Sequence, residues 1–401
     1  MTVWDDVVGQ QRVVDQLSAA ALAAGALITA DPAEARPDSS AMTHAWLFTG
    51  PPGSGRATAA RAFAAALQCV SPDRALGAAP GCGFCEGCHT TLVGTHADVE
   101  VVRTDLLTIG VKDTRDLVRR SSLTPAGGRW QVIVLEDADR LTEGAGNVLL
   151  KAVEEPAPRT VWLLCAPSLE DVLPTIRSRC RALVLRTPPA EAIADTLVRR
   201  DGVDPQMAAF AARAAHGHIG RARRLATDEG ARTRREEVLR IPQMVSDIGG
   251  CLKAAQQLVD SAVEDARQVA EGTDAKETEE LRAALGASGA GSRLPRGTAG
   301  VLKDLQDRQK RRATRTQRDT LDRALIDLAG FYRDVLAVQV GAATELCNAE
   351  LRPTIDRFAA SSTPEHTLRR IEAVLDCRRA LDRNVAPLLA LEAMTVSLRA
   401  A

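Results

Sequence analysis

Apolar and polar positions follow two different regimes along the chain. In the first 185 or so residues, short apolar runs alternate with longer amphipathic stretches. The runs are Ala45–Thr49 (A-W-L-F-T), Val99–Val102, Gln131–Leu135 (Q-V-I-V-L), Val161–Ala166 (V-W-L-L-C-A) and Ala182–Leu185. Apolar runs of this length bounded by turn residues read as buried strands. Between them, helical periodicity predicts helices over roughly Gln11–Leu27, from just after Gly55 to about Cys69, over Thr114–Arg120, and over Asn147–Glu155, where Pro156 stops it. Strands alternating with helices predict an α/β class with a parallel sheet. The polar, Pro-containing stretch Thr29–Thr43 reads as a surface loop.

After Thr187-Pro188-Pro189 the strand-like runs cease and the pattern becomes helical throughout. Asp204-Pro205 reads as an N-cap followed by Pro at the first helical position, Gly217 as a C-cap, and His216–Arg224 as the opening of a further helix. Leu321–Val340 and Leu368–Leu398 keep helical periodicity, and Gly286–Gly300 reads as a flexible loop. Lys303–Arg323 holds eight Lys/Arg against four Asp. Such a helix faces DNA, faces a partner, or is simply a solvated face.

Composition narrows the picture. The 401 residues suffice for two or three domains and a large core. A formal net charge of −1 supplies no global attraction to nucleic acid or membrane, so any such contact must be a local patch. No apolar run is long enough to span a bilayer, and the N-terminus lacks a signal-peptide pattern, so a cytoplasmic protein with no membrane partner is expected. Aromatics are only 3%, and all four Trp lie at or before Trp162, which sets the first part of the chain apart.

The stretch Gly50-Pro-Pro-Gly53-Ser-Gly55-Arg56-Ala57-Thr58 follows the first strand and opens a helix. A Gly-rich turn between strand and helix aims backbone N–H groups and a helix N-terminus at one point, as a phosphate needs. The pattern G-x-x-x-x-G-K-[ST] is met at Gly50 and Gly55, but Arg56 stands in place of Lys and Ala57 in place of the Mg²⁺-binding hydroxyl. Thr58 does not replace it, because one step along a helix rotates the side chain by about 100°. A Gly-rich turn unconnected with phosphate is the plainer alternative. At the end of the third strand, Glu136-Asp137-Ala138-Asp139 puts carboxylates where they meet a metal and a water near the phosphate loop, or where they cap the next helix. The order Glu136 then Asp137 reverses the usual one.

Cys82-x-x-Cys85-x-x-Cys88, preceded by Cys69, has the spacing of a closed structural zinc site, with intervening glycines that let thiolates converge. His89 is the alternative fourth ligand, and a redox-active C-x-x-C or an empty cluster are the alternatives to zinc. In a cytosolic chain clustered cysteines favour metal over disulfides.

Together V-V-G-Q (7–10), G-P-P-G-S-G-R-A (50–57), the four cysteines (69–88), L-E-D-A-D-R (135–140), L-L-K-A-V-E-E-P (149–156) and S-R-C (178–180) resemble the clamp-loader ATPase family of the AAA+ class. The motifs span about the first 180 residues, and the helical remainder fits the family's lid and collar loosely. The resemblance implies an AAA+ P-loop domain over 1–187 with its zinc insert at 69–88, a helical lid over 188–232 and a helical collar over 233–401. It assigns Val8, Gly9, Gly50, Gly53, Gly55, Arg56, Ala57, Thr58, Glu136 and Asp137 to a nucleotide site. That site departs from the motor subunits at Arg56 and Ala57. It departs again at Ala166-Pro167, where a polar sensor belongs, and at Gly220, where a lid arginine belongs and Arg221 is one place off. Nucleotide binding is therefore in doubt. Arg179 of S-R-C is retained, and in the family that arginine reaches a neighbour's ATP. Without the resemblance it reads as an ordinary exposed arginine. The implied function is a non-hydrolysing stator of the bacterial DNA polymerase III clamp loader. Its implied partners are the gamma/tau ATPases and delta, and through them the sliding clamp and primed DNA. The competing expectations are an active clamp-loader ATPase with a divergent phosphate loop, using Arg56, Glu136 and Asp137, and a zinc-containing DNA-binding module, which near-neutral charge disfavours.

Overall fold

The five apolar runs form one parallel sheet: β1 Ala45–Thr49, β2 Val99–Val102, β3 Gln131–Leu135, β4 Thr160–Ala166 and β5 Arg181–Val184, in the order β2-β3-β4-β1-β5. The computed structural model describes residues 2–29, 41–73, 78–104, 106–127, 129–284 and 299–400. Every residue of the three inner strands is buried, as a sheet covered on both faces requires, whereas edge strands β2 and β5 are partly exposed.

Strand periodicity divides the apolar side chains between two cores. Trp46, Phe48, Val132, Val134, Leu163 and Cys165 pack with the helices α1 Gln11–Thr29 and α2 Arg56–Leu67. Their neighbours Leu47, Ile133, Leu135, Trp162 and Leu164 pack with α4 Val111–Ser121, α5 Glu143–Glu154 and the short α6 Pro174–Arg177. The rings of Trp46 and Phe63 meet edge to face at 5.3 Å. Each such buried large side chain contributes roughly 1.5–3 kcal/mol. The chain then forms α7 Ala190–Asp201, α8 Pro205–Ala214 and α9 Ile219–Thr227, after the short α3 Glu86–Val93 earlier in the chain.

This first compact unit covers 1–226 and the second 227–401. The second is helical among its described residues: α10 Glu229–Met244, α11 Ile248–Ala284, α12 Ala299–Gln339, α13 Arg352–Ser361, α14 Pro364–Asp382 and α15 Pro387–Ala400. They surround a core that includes Leu239, Leu258, Leu325, Phe331, Val374 and Leu391.

The strands lie within a residue of their expected positions, and four helices differ, α4 by beginning three residues earlier than expected, at Val111. α5 begins four residues earlier than expected, because the Thr142 hydroxyl accepts the Ala145 N–H at 3.3 Å and caps a glycine-containing first turn. The single helical run expected over Leu368–Leu398 is two helices, α14 and α15. They are separated at Asn384, whose φ of 64° no helix continues through. α1 runs to Thr29, and most of the expected 29–43 loop (residues 30–40) lies outside the described residues, as does 286–298 of the second expected loop, whose last two residues, Ala299 and Gly300, open α12 instead. The Asp204 cap is present, its Oδ2 accepting the Gln206 and Met207 N–H groups at 3.0 and 3.1 Å. Gly217 lies beyond the Ala215 C-cap, in a left-handed turn at φ 86°. No helix among the described residues is long and apolar enough to cross a membrane.

Candidate functional site

All five strands run parallel, so the loops that follow them open on one edge of the sheet. Gly50–Gly55 follows β1, the acidic run follows β3, and Ala166-Pro167 follows β4, which lies between them. The expected nucleotide residues are therefore brought to one edge. Their side chains, however, are turned onto the protein itself.

Arg56 Nη1 donates to the carbonyl of Gly50, the first residue of its own loop. Burial lowers the pKa of this guanidinium, with the fields of the nearby carboxylates Asp139 and Asp137 opposing. Arg61, one and a half turns further along α2, donates from Nε to Glu136 Oε1 at 2.7 Å, and Glu136 is 9% exposed. Asp137 Oδ2 accepts the Thr104 N–H at 3.0 Å, while its Oδ1 lies 3.7 Å from Arg140 Nε. The helix-capping alternative for this pair is overturned: Thr142 caps α5, and Asp137 makes no side-chain cap on the short 3-10 turn Ala138–Arg140. Asp139, which completes the run, has its pKa raised, chiefly by burial.

Gly53 marks how closely the loop is covered. It has φ 88°, and a Cβ there would lie 2.5 Å from the Cα of His218. His218 Nδ1 in turn accepts the Arg221 N–H at 3.2 Å at the start of α9, so the turn before α9 sits on the apex of the loop. Val8 and Gly9 stand beside the entry to α7, where a Cβ on Gly9 would lie 3.2 Å from Pro189 Cδ. Gln10 ties the same corner together: Nε2 donates to the carbonyls of Ser54 and Arg186, and Oε1 accepts the Arg186 N–H. Ala57 and Thr58 occupy the first turn of α2, half-buried.

At the other end of α2 the four thiols converge. Cys69 follows the helix, Cys85 is the N-cap residue of α3, and Cys88 lies within it. The four Sγ atoms lie within 4.8 Å of one another, with Cys69–Cys82 and Cys69–Cys85 at 3.9 Å. Four sulfurs bound at about 2.3 Å around a tetrahedral ion stand about 3.8 Å apart. The Cys85 N–H points at Cys82 Sγ and the Val70 N–H at Cys85 Sγ, both at 3.4 Å, which favours thiolates. The hydrogen bond from Cys88 pushes the Cys69 thiol pKa down. This donor set fits zinc. His89 is exposed on α3 and is not part of the group. Gly87 is required by close approach, since a Cβ there would fall 2.0 Å from the Gln68 carbonyl oxygen, so α3 packs directly on the end of α2.

Arg179 lies at the opposite edge of the sheet. It follows α6 and precedes β5, and β5 begins level with Trp46, where Trp46 pairs with Arg181. The Gly-rich loop begins beyond Thr49, a further three strand residues or about 10 Å away. Arg179 Nη2 donates to Glu154 Oε1 at 2.9 Å and Nη1 to the Thr175 carbonyl at 2.9 Å, with the arginine side chain 35% and Glu154 52% exposed.

The family described as "DNA polymerase III, delta subunit" matches residues 34–189, and its C-terminal counterpart matches 316–398. A Bacillus subtilis DNA polymerase III subunit delta' is 25% identical over 344 residues, covering 86% of this chain and 87% of that one. The chain belongs to the delta-prime family of DNA polymerase III subunits. A Pseudomonas aeruginosa delta' is 38% identical over 158 residues, which cover 39% of this chain and 47% of that one. The Mycobacterium tuberculosis subunit gamma/tau is 33% identical over 195 residues, 48% of this chain, which spans only 30% of the length of that relative. Likeness to gamma/tau is thus confined to about half of this delta-prime family chain, while likeness to the B. subtilis delta' runs through both units.

Three contributors to the delta-prime family site were not expected from sequence: Arg61, His218 and the side chain of Gln10. Arg61 and Glu136 are 75 positions apart, and no local spacing links them. The G-Q dipeptide after V-V was visible, but not that its amide would bridge two loops.

Proposed function

We propose that this chain is the stator of a bacterial DNA polymerase III clamp loader: it does not hydrolyse ATP itself and supplies Arg179 to the ATP site of a neighbouring gamma/tau subunit. The observation that carries this reading is the asymmetry of the sheet. At the phosphate-loop edge, Arg56, Glu136 and Asp137 are each held by groups of the same chain. At the other edge, about 10 Å or more from that loop, Arg179 is held by a partly exposed acid, the Thr175 carbonyl and, at 3.3 Å, the Ser178 hydroxyl oxygen. A planar, permanently charged fork is suited to binding γ-phosphate oxygens in pairs. Exchanging Glu154 for a phosphate gives up only a surface ion pair, worth ~0–1 kcal/mol.

On this reading 1–187 is the AAA+ domain, 188–232 its lid and 233–401 the collar through which the ring assembles with gamma/tau and delta. The chain acts in the cytoplasm, and the sliding clamp and primed DNA are met through the complex. Zinc, held by Cys69, Cys82, Cys85 and Cys88, supplies a closed structural crosslink and no chemistry. Those ligands fix the end of α2, whose other end begins the phosphate loop. A nucleotide in this loop would have to displace Arg56 from Gly50 and the His218 turn from Gly53, and Ala57 gives Mg²⁺ no hydroxyl.

The test is steady-state ATPase and clamp loading by the reconstituted complex with Arg179→Ala. The complex should assemble normally and lose hydrolysis at the site that Arg179 serves, so total turnover falls in part and loading falls further. Wild-type rates would refute the trans role. Turnover by the isolated chain that vanishes in Glu136→Gln/Asp137→Asn would instead establish an active ATPase with a divergent loop.

A further inference from the structure

α11 and α12 continue past the core they help to build. The last buried residue of α11 is Ala266 and the first of α12 is Leu321. No described side chain of 267–284 or 300–320 is buried. The 18 residues of 267–284 correspond to about 27 Å of helix. The two segments are held together by a polar seam: Arg312 donates to Glu277 Oε1 and Oε2 at 2.8 and 2.7 Å and also to Asp274, and Gln309 Nε2 donates to the Asp274 carbonyl at 3.1 Å. The apolar residues of these segments that are shielded from solvent, among them Leu281, Leu302 and Leu305, are only partly buried, so the pair gains little from its own packing, since most helical stability in proteins comes from buried faces. Its surface chemistry is therefore the informative feature.

The basic run Arg308-Gln309-Lys310-Arg311-Arg312 divides around this seam. Gln309 and Arg312 turn to α11. Arg308, Lys310 and Arg311 are exposed, as is Lys303 one turn and more upstream. None of these four is in an ion pair among the described residues, and Arg308 only feels the field of Glu277. Between 303 and 314 the exposed positions are those four cations, one acid (Asp304), Gln306 and Thr314, with no apolar side chain. Protein partners are gripped mainly through aromatic and aliphatic anchors and well-packed pockets, which this face does not offer. A phosphodiester backbone needs only cations spaced along a rod.

We infer that this two-helix arm is a sequence-independent contact for the backbone of duplex nucleic acid, with Lys303, Arg308, Lys310 and Arg311 as the phosphate-binding groups. The inference is independent of the stator reading. It concerns a surface of the helical unit, and it is read out by the chain alone with no ATPase partner present. The chain's net charge of −1 means that little non-specific background competes with the patch.

The experiment is fluorescence anisotropy of the full-length, zinc-loaded chain with a labelled primer–template duplex, across a salt series. Wild-type affinity should fall steeply with salt. The Arg308→Gln/Lys310→Gln/Arg311→Gln variant should bind about tenfold or more weakly at low salt. The slope of log K against log salt should flatten by about 0.9 for each cation removed. Circular dichroism should show unchanged helicity, because Gln is as good a helix former as Lys or Arg. Three results would overturn the proposal: no binding by the wild-type chain, equal binding by the triple variant, or displacement of the duplex by poly-glutamate as readily as by unlabelled DNA. The last would assign the face to an acidic protein.

Discussion

The two edges of the sheet carry the same kinds of residue, arginines and carboxylates, in opposite states. At the edge where β1, β3 and β4 end, three charged groups are paired inside the chain: Arg56 by Gly50, Glu136 by Arg61, Asp137 by Thr104 and Arg140. At the edge where β5 begins, Arg179 is held by one half-exposed carboxylate, the Thr175 carbonyl and the neighbouring Ser178 hydroxyl oxygen. The first edge carries a Gly-rich loop between strand and helix whose neighbouring charged side chains are paired within the chain. The second presents a partly exposed arginine whose acidic partner is itself half exposed. A motif in sequence records the shape and not the state, which only the pairing geometry reveals.

The largest expected effect separates the edges directly. Arg179→Ala should lower hydrolysis at the neighbouring site by ~10³ or more, the range that trans arginines command where they are best defined. Its effect on the stability of the chain should stay under about 0.5 kcal/mol. Arg56→Ala should leave the ATPase of the complex at the wild-type rate. Equal losses from the two substitutions would erase the distinction between the edges. Arg179→Lys should recover only part of the activity, because an ammonium cannot make the two-pronged contact.

Removing metal asks whether the phosphate-loop edge is held from its far end. Elemental analysis of the purified chain should give about one zinc per chain. At zinc a hundredfold above its Kd the ion contributes about 2.7 kcal/mol. Chelation or Cys85→Ser should remove that and loosen 69–93, measured by hydrogen exchange. β1 and β3 should stay protected, since their burial does not depend on the cluster. A metal-free native protein, or loss of protection throughout the sheet, would contradict this account.

How much of this was legible follows from what each feature depends on. The inner strands were visible because burial on both faces demands continuous apolar runs, and Q-V-I-V-L or V-W-L-L-C-A satisfy nothing else at that length. The thiol cluster was visible because zinc needs thiolates at short spacings. The start of α5 was obscured by Gly144 and Gly146, which read as breakers until the Thr142 cap is seen. The break at Asn384 was invisible because apolar periodicity continues across it. The pairing of Arg61 with Glu136, and the seating of His218 on Gly53, depend on contacts between segments far apart in the chain, so no local pattern announces them. The arm of α11 and α12 was legible as a charge run, because the polar contacts of Gln309 and Arg312 interrupt the apolar spacing begun by Leu302 and Leu305.

A smaller effect tests whether Glu136 is structural. Arg61→Ala should leave its buried carboxylate without a counter-charge and destabilise the chain by about 2 kcal/mol. That is below the full value for a buried pair, since Arg61 is itself 41% exposed. Glu136→Gln keeps an acceptor for Arg61 and should cost about 1 kcal/mol or less. Denaturant midpoints at constant m-value check both. Neither should change ATP turnover by the complex, whereas an active acid–base role would make Glu136→Gln the more damaging of the two.

The smallest expected effect concerns Asp139, the last acid of the run. Burial is the largest cause of its raised pKa, with the neighbouring Asp137 also raising it and Arg140 and Arg56 opposing. A carboxyl that holds its proton more tightly folded than unfolded favours folding below its unfolded pKa, about 3.9. That contribution is lost as pH rises through the raised folded value. At neutral pH the charged form is therefore a mild liability. Asp139→Asn should raise neutral-pH stability, by under about 1 kcal/mol, and should narrow the stability difference between neutral and mildly acidic solution. The check is a set of denaturant titrations of both proteins across that pH interval. A variant that is less stable at neutral pH would show that Asp139 is needed as an anion beside Arg56. The edge that carries both would then owe part of its stability to the ionised Asp139.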